Sequence, residues 1–282
     1  VPLAAALLSA LRDEARLVVV GDADQLPSVG PGAFLRDLIA SGVVPAVRLS
    51  EIFRQAGESR IVRNAHRILH GEMPQGGSAT EPSCDFFVIQ RREPQQAADL
   101  VRELVTWRVP RRFDLDPRQD IQVLTPMHRG PAGTGALNVA LQKALNPTGR
   151  SLPLRGQPVR EGDKVMQLRN DYEREVFNGD LGRVSVVDAA ERKMTVRFEG
   201  RLVDYDEAAL EALSLAYATS IHKSQGSEYP AVVVPLLTTH FVMLSRNLLY
   251  TAVTRARRLC VLVARREDRL THLAERLRSA LR

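Results

Sequence analysis

The sequence predicts an α/β protein: a layered domain with a mostly parallel sheet, interrupted by a small β-rich insertion. Three observations carry this expectation. Segments of helical period alternate with short, fully apolar runs such as 17–20 and 231–235, the pattern of strands buried on both faces. Several of these runs lead into polar loops, and open α/β sheets bind ligands beyond the carboxyl ends of their strands. Between residues 152 and 205 helical periodicity disappears, and short strand candidates are separated by turn signals such as Asn178-Gly179-Asp180.

In chain order, residues 4–15 are rich in alanine and leucine and read as a helix. A short apolar strand is expected at 17–20, ending in Gly21-Asp22-Ala23-Asp24-Gln25-Leu26-Pro27. A helix at 33–41 and a strand at 47–49 lead to Ile52-Phe53-Arg54-Gln55. A helix at 59–70 precedes a Gly/Pro/Ser-rich link over 71–82. Next come a strand at 86–89, a helix at 94–107 and a strand at 121–124, which runs into Thr125-Pro126-Met127-His128-Arg129-Gly130. A helix over 134–145 follows, and its N-terminus favours an anion. The insertion has strand candidates at 164–168, 181–187, 194–198 and 201–205. A helix at 242–255, a strand at 259–263 and a closing helix at 266–281 complete the pattern.

The chain has 282 residues, with 44% hydrophobic content, ample for a real core. Its formal net charge of +6 points to a polyanionic partner. The 35 arginines against four lysines can partly reflect coding bias, so charge alone is weak evidence for nucleic acid. Cys84 and Cys260 lie far apart and show neither metal-ligand spacing nor a disulfide framework. That usage fits a reducing cytoplasm and two packing residues. No run reaches the length of a membrane span, so a membrane partner is not expected, and no metal site is predicted.

Chemistry concentrates in residues 217–235. Thr219, Ser220, His222, Lys223, Ser224, Gln225 and Ser227 can all donate to phosphate oxygens, and Gly226 lets a backbone approach closely. His222-Lys223-Ser224 is not the end of a phosphate-binding P-loop, because that motif needs a glycine immediately before the lysine and another five residues before that one. Two other sets sit in strand-end loops: Asp22 and Gln25, and Thr125, His128 and Arg129. Arg54 follows two apolar residues that want burial, and Arg255 closes the 242–255 helix, from which it is expected to point out of the domain.

Taken together these residues resemble superfamily 1 helicases, and more closely the RecD-like 5′-to-3′ DNA helicases. Residues 21–30 look like motif III, 52–55 like motif IV, 217–235 like motif V and 249–256 like motif VI. The insertion, with Val176-Phe177-Asn178-Gly179-Asp180-Leu181-Gly182, is similar to the SH3-like domain of the longer RecD type. The resemblance implies a RecA-like P-loop NTPase fold. Residues 1–50 would end a first RecA-like domain, 51–150 and 211–282 would form a second, and 151–210 the SH3-like insertion.

The resemblance also implies roles. Gln25 would sense the γ-phosphate while Arg54 and Arg255 reach it as arginine fingers, with Asp22, Gly226 and Glu228 near the nucleotide. Thr125, His128, Arg129, Asn178, Thr219, His222, Lys223 and Ser224 would face DNA. ATP and Mg²⁺ are the implied cofactors, with single-stranded DNA and its junctions with duplex as partners. A monomer in the bacterial cytoplasm, associated with the nucleoid, is expected. No Gly-rich loop ending in Gly-Lys-Ser/Thr, and no Asp-Glu pair in the place the family requires, occurs in the 282 residues. The expectation is therefore a C-terminal piece of an ATP-driven helicase that does not hydrolyse ATP alone. A non-catalytic nucleic-acid-binding module of the same fold is the alternative, and a protein-interaction domain built on the SH3-like part would leave 217–235 unexplained.

Overall fold

A computed structural model describes residues 2–27, 32–49, 59–78, 80–81, 83–237 and 245–264. Helices α1 (Pro2–Ala10) and α2 (Phe34–Ser41) open the chain, and α3 (Arg60–Leu69) follows, capped by the Ser59 hydroxyl accepting from Val62 N. Strand β1 (Phe86–Gln90) leads into α4 (Pro94–Glu103). That helix passes through a π-helical turn (Leu104–Arg108) into α5 (Val109–Phe113). Then come β2 (Ile121–Thr125) and α6 (Thr134–Leu145).

The insertion contains the hairpin β3 (Ser151–Leu154) and β4 (Gln157–Arg160), then β5 (Lys164–Gln167), β6 (Leu181–Asp188), β7 (Lys193–Phe198), β8 (Arg201–Tyr205), α7 (Glu207–Leu210) and β9 (Leu213–Leu215). Strand β10 (Ala218–Ser220), a 3₁₀ turn (Ile221–Ser224), β11 (Tyr229–Leu236), α8 (Arg246–Thr254) and β12 (Ala256–Ala264) complete the described chain.

The main sheet runs β1-β12-β11-β2-β10, and every pairing is parallel. Residue alternation along β11 divides the core in two. Val232 and Val234 pack with α3 and α8, whereas Ala231 and Val233 pack with α4, α5 and α6. The result is a three-layer RecA-like α/β domain. The insertion is a second, antiparallel five-stranded sheet, β8-β7-β6-β5-β9, with its own core of Val165, Val184, Val196 and Tyr205 among others. Its last strand extends to Leu215, beyond the expected limit at 210, because β9 closes against β5.

Most expected elements form where their periodicity places them, and α6 does so to the residue. The apolar runs at 17–20 and 47–49 do not. Neither is a strand, and Val18, Val20, Val47 and Leu49 are 80 to 90% exposed. A strand needs a neighbour to take its backbone hydrogen bonds, and no described strand lies beside either run. Helix α1 ends at Ala10 rather than continuing to 15. The closing helix expected at 266–281, the start of the one expected at 242, and Ile52 to Gln55 lie outside the described residues.

Two buried polar groups join the insertion to the RecA-like layer. Asp163, with no exposed surface, accepts four hydrogen bonds: Gln142 Nε2 (2.5 Å) and Arg160 N (2.8 Å) on Oδ2, Asn146 Nδ2 (2.6 Å) and Tyr217 OH (2.9 Å) on Oδ1. Beside it in sequence, Lys164 is 7% exposed, and its ammonium has one long bond, 3.4 Å to the Ile121 carbonyl, while lying 5.8 Å from the Tyr229 ring centroid. Burial first, and Arg183 second, push its pKa down from 10.5 to about 8. The unfolded chain then binds more protons than the native one between those values. The cost of burying this charge is therefore fully present below pH 8 and is relieved as pH rises toward 10.5. Lys164→Met is expected to stabilise the chain at pH 7 by up to about 3 kcal/mol and to remove this part of the alkaline rise. Urea unfolding of both proteins at pH 7 and 10 checks it, and an unchanged difference between the two pH values refutes it.

Candidate nucleotide cluster and nucleic-acid cleft

The loop after residue 20 is held by α8. Tyr250 OH donates to Asp22 Oδ2 (3.0 Å), Asn247 Nδ2 to the Gln25 carbonyl (3.1 Å), and Leu26 N to Thr251 Oγ1 (2.9 Å). Gln25 Nε2 donates to Asp22 Oδ2 (3.0 Å), which turns its carboxamide oxygen toward Arg255. Arg255 Nη2 donates to that oxygen at 2.7 Å, and Nη1 to the Ser227 carbonyl at 2.9 Å. Arg255 is 6% exposed because the 22–27 loop covers it. The α8 helix ends directly at the start of β12, and this tight junction aims the guanidinium across the cleft onto the 22–27 loop. Burial lowers its pKa below the ordinary arginine value, opposed by the charge of Glu228 and then by Tyr229 and Asp22; a guanidinium stays charged through such a shift.

Residues 217–235 divide between two places. On one side, Gln225 Nε2 donates to the Leu26 carbonyl (2.7 Å), and Ser227 and Glu228 adjoin Arg255 and Arg257, the latter bonded to Glu228 Oε2 at 2.7 Å. Gly226 between them has φ +82, a left-handed conformation that disfavours any side chain. On the other side, Thr219, Ser220 and Lys223 line a cleft of about 640 Å³ with His128 and Thr134. His128 Nδ1 is 2.9 Å from Thr134 Oγ1, at the start of α6. Gly133 makes that helix start possible, since a Cβ there would collide with the carbonyls of His128 and Arg129.

Not every predicted contact residue is available. The Thr125 hydroxyl, fully buried, donates to the Ala132 carbonyl (2.8 Å), and that of Ser224, also buried, donates to the Ile221 carbonyl (2.7 Å). Both hydroxyls brace turns, so their donors do not face solvent or a strand; this corrects the expectation that their side chains meet DNA. Thr219 is 5% exposed but lines the cleft. Arg129 is exposed outside the cleft lining, His222 is partly exposed beside Lys223, and Arg54 lies outside the described residues.

Asn178 is exposed at the tip of the insertion, and neighbouring Gly179 packs near the Lys223 carbonyl. The same tip exposes an edge-to-face aromatic pair, Tyr172 and Phe177, with centroids 6.0 Å apart. Among the described residues no three His, Cys, Asp or Glu side chains gather to hold a metal, and no helix is long and apolar enough to cross a membrane.

A buried arginine bonded to a glutamine on an opposing loop, next to a glycine-containing turn and a parallel sheet, is the arrangement that the resemblance to superfamily 1 helicases implies. Family models agree: an AAA domain matches residues 2–82, an ATP-dependent RecD-like DNA helicase SH3 domain 137–198, and a UvrD-like helicase C-terminal domain 215–263. In sequence the chain is similar to RecD-type helicases. It is 39% identical to the ATP-dependent RecD2 DNA helicase of Deinococcus radiodurans over 89% of this chain and 33% of that protein. To the RecBCD enzyme subunit RecD of Mycolicibacterium smegmatis it is 32% identical, over 98% and 52%. The chain thus spans about a third to a half of the curated relatives it matches. Among solved structures, a Pif1 helicase from Bacteroides in complex with ADP-AlF3 and ssDNA aligns with a TM-score of 0.49 at 20% identity, covering 92% of this chain and 66% of that one.

Proposed function

We propose that this chain serves an ATP-dependent DNA helicase that translocates 5′ to 3′ on single-stranded DNA and unwinds duplex in repair or recombination. Residues 1–50 would supply the end of the first RecA-like domain, 51–150 and the stretch from 216 to 282 the second, and the SH3-like insertion, closed by β9, would sit between. One observation carries the reading: a single segment, 218–228, touches the Gln25–Arg255 cluster at one end and the cationic cleft at the other. A segment shared by two sites lets the occupancy of one bias the grip of the other.

On this reading Gln25 and Arg255, with Arg54, meet the γ-phosphate of ATP, and Asp22, Gly226 and Glu228 lie around the nucleotide. The groups present fit a phosphate. Mg²⁺ would accompany ATP, and Asp22 is the carboxylate of this loop that the reading places beside the nucleotide. His128, Arg129, Asn178, Thr219, His222 and Lys223 would contact the strand, in a monomer working on single-stranded DNA and its junctions in the bacterial cytoplasm. By themselves the 282 residues are expected to hydrolyse no ATP.

Strand binding tests the reading. A labelled oligothymidylate should bind with an affinity that falls steeply with salt, as phosphate contacts require. His222→Ala should weaken it by about threefold to tenfold. Salt-independent binding, or an unchanged affinity in the variant, counts against the assignment.

A further inference from the structure

The cleft contains more than the helicase-like segments supply. Its wall on α6 includes Val139, an apolar side chain 42% exposed, and its wall on the insertion includes Leu154, Val159, Met166 and Leu215. Three cations from three separate stretches line it: Lys143 near the end of α6, Arg155 at the β3–β4 turn, and Lys223. No carboxylate belongs to that lining, and among the described residues none of the three cations forms an ion pair. Arg155 Nη2 donates to the Glu211 carbonyl (2.5 Å), a neutral partner that leaves its charge uncompensated. Lys223 has its pKa lowered by burial first and by the charge of Arg155 second, so the two cations feel each other without an anion between them.

An apolar floor under unneutralised cations suits a ligand with a flat ring and a negative charge, and the volume of about 640 Å³ lies within the range of about 300–1,000 Å³ usual for small-ligand sites. We propose that this cleft is a nucleotide pocket for the bound DNA strand, taking one base against Val139 and Leu215 while Lys143, Arg155 and Lys223 hold its flanking phosphates. The inference rests on the strand-binding reading above. It adds base insertion, and two cations that lie outside the helicase-like motifs. Lys143 and Arg155 are both exposed, so replacing them does not disturb a core.

The test uses the 282-residue chain and two labelled probes, an oligothymidylate of about 12 nucleotides and an abasic strand of the same length. Affinities are read by fluorescence anisotropy across a salt series. The thymidylate should bind about tenfold tighter than the abasic strand. Val139→Asp should collapse that ratio toward one. Lys143→Ala combined with Arg155→Ala should weaken both probes and lower the slope of log affinity against log salt by about 0.7 per cation removed.

Equal binding of the two probes by the unsubstituted chain, or a ratio that survives Val139→Asp, overturns base insertion. Unchanged affinity in the double variant overturns the phosphate contacts. In each case strand binding by the unsubstituted chain still stands. If the unsubstituted chain binds neither probe, the DNA reading falls and takes this inference with it.

Discussion

Arg255→Ala is expected to lower ATP turnover by about a thousandfold or more, with strand affinity nearly unchanged, in a polypeptide that also supplies a phosphate-binding loop. The geometry behind this is specific. The guanidinium is desolvated at 6% exposure and held at two points, the Ser227 carbonyl and the Gln25 carboxamide. A cation preorganised in a dry cleft stabilises charge that develops on a transferring phosphoryl group far better than one that must reorient from water. Arg255→Lys should fare little better, because an ammonium cannot span two acceptors with a planar fork.

A readout independent of turnover separates this role from a merely structural one. In both variants the amide of Leu26 keeps its bond to Thr251 Oγ1, so hydrogen exchange there should rise only modestly. Turnover within about threefold of the unsubstituted protein would refute the assignment.

Asp163→Ala is expected to cost about 4 kcal/mol or more. It leaves four donors from three segments without their acceptor in a site closed to water, at about 1–3 kcal/mol for each buried group that finds no other partner. The damage should spread beyond the insertion, because Gln142 and Asn146 belong to the α6 end and Tyr217 leads into β10. Burial first, and the Asp163 charge second, push the Tyr217 hydroxyl pKa up, keeping it a donor. Tyr217→Phe removes one of the four donors and leaves the carboxylate with three, so it should cost only about 1 kcal/mol. Urea unfolding of the two variants checks the contrast; similar losses in both would show that the four bonds do not act as one hub.

Much of the fold was legible because its signals are local. The strand signal at 121–124, apolar but for Gln122, the helical spacing of 134–145 and the Asn178-Gly179 turn each act over a few residues, and each appears in place. The runs at 17–20 and 47–49 misled for the complementary reason. Apolar character marks a segment that would suit a sheet, but whether a neighbour exists to pair with it is not a local property. The same limit applies to chemistry. Residue type shows that Thr125 and Ser224 can donate to phosphate, and only packing shows that those donors are already committed to Ala132 and Ile221.

By itself the sequence determined the class of protein, the order of its helicase-like segments and the presence of an SH3-like insertion. Tertiary structure decided which groups meet: Arg255 with Gln25, 230 positions apart in the chain, Asp163 with Gln142, Asn146 and Tyr217, and Lys143 with Arg155 and Lys223 around one cleft. Periodicity and turn chemistry are written within a few residues of each other. Convergence of charges and the pairing of buried polar groups arise from contacts between distant segments, which the closing of the layers brings into place.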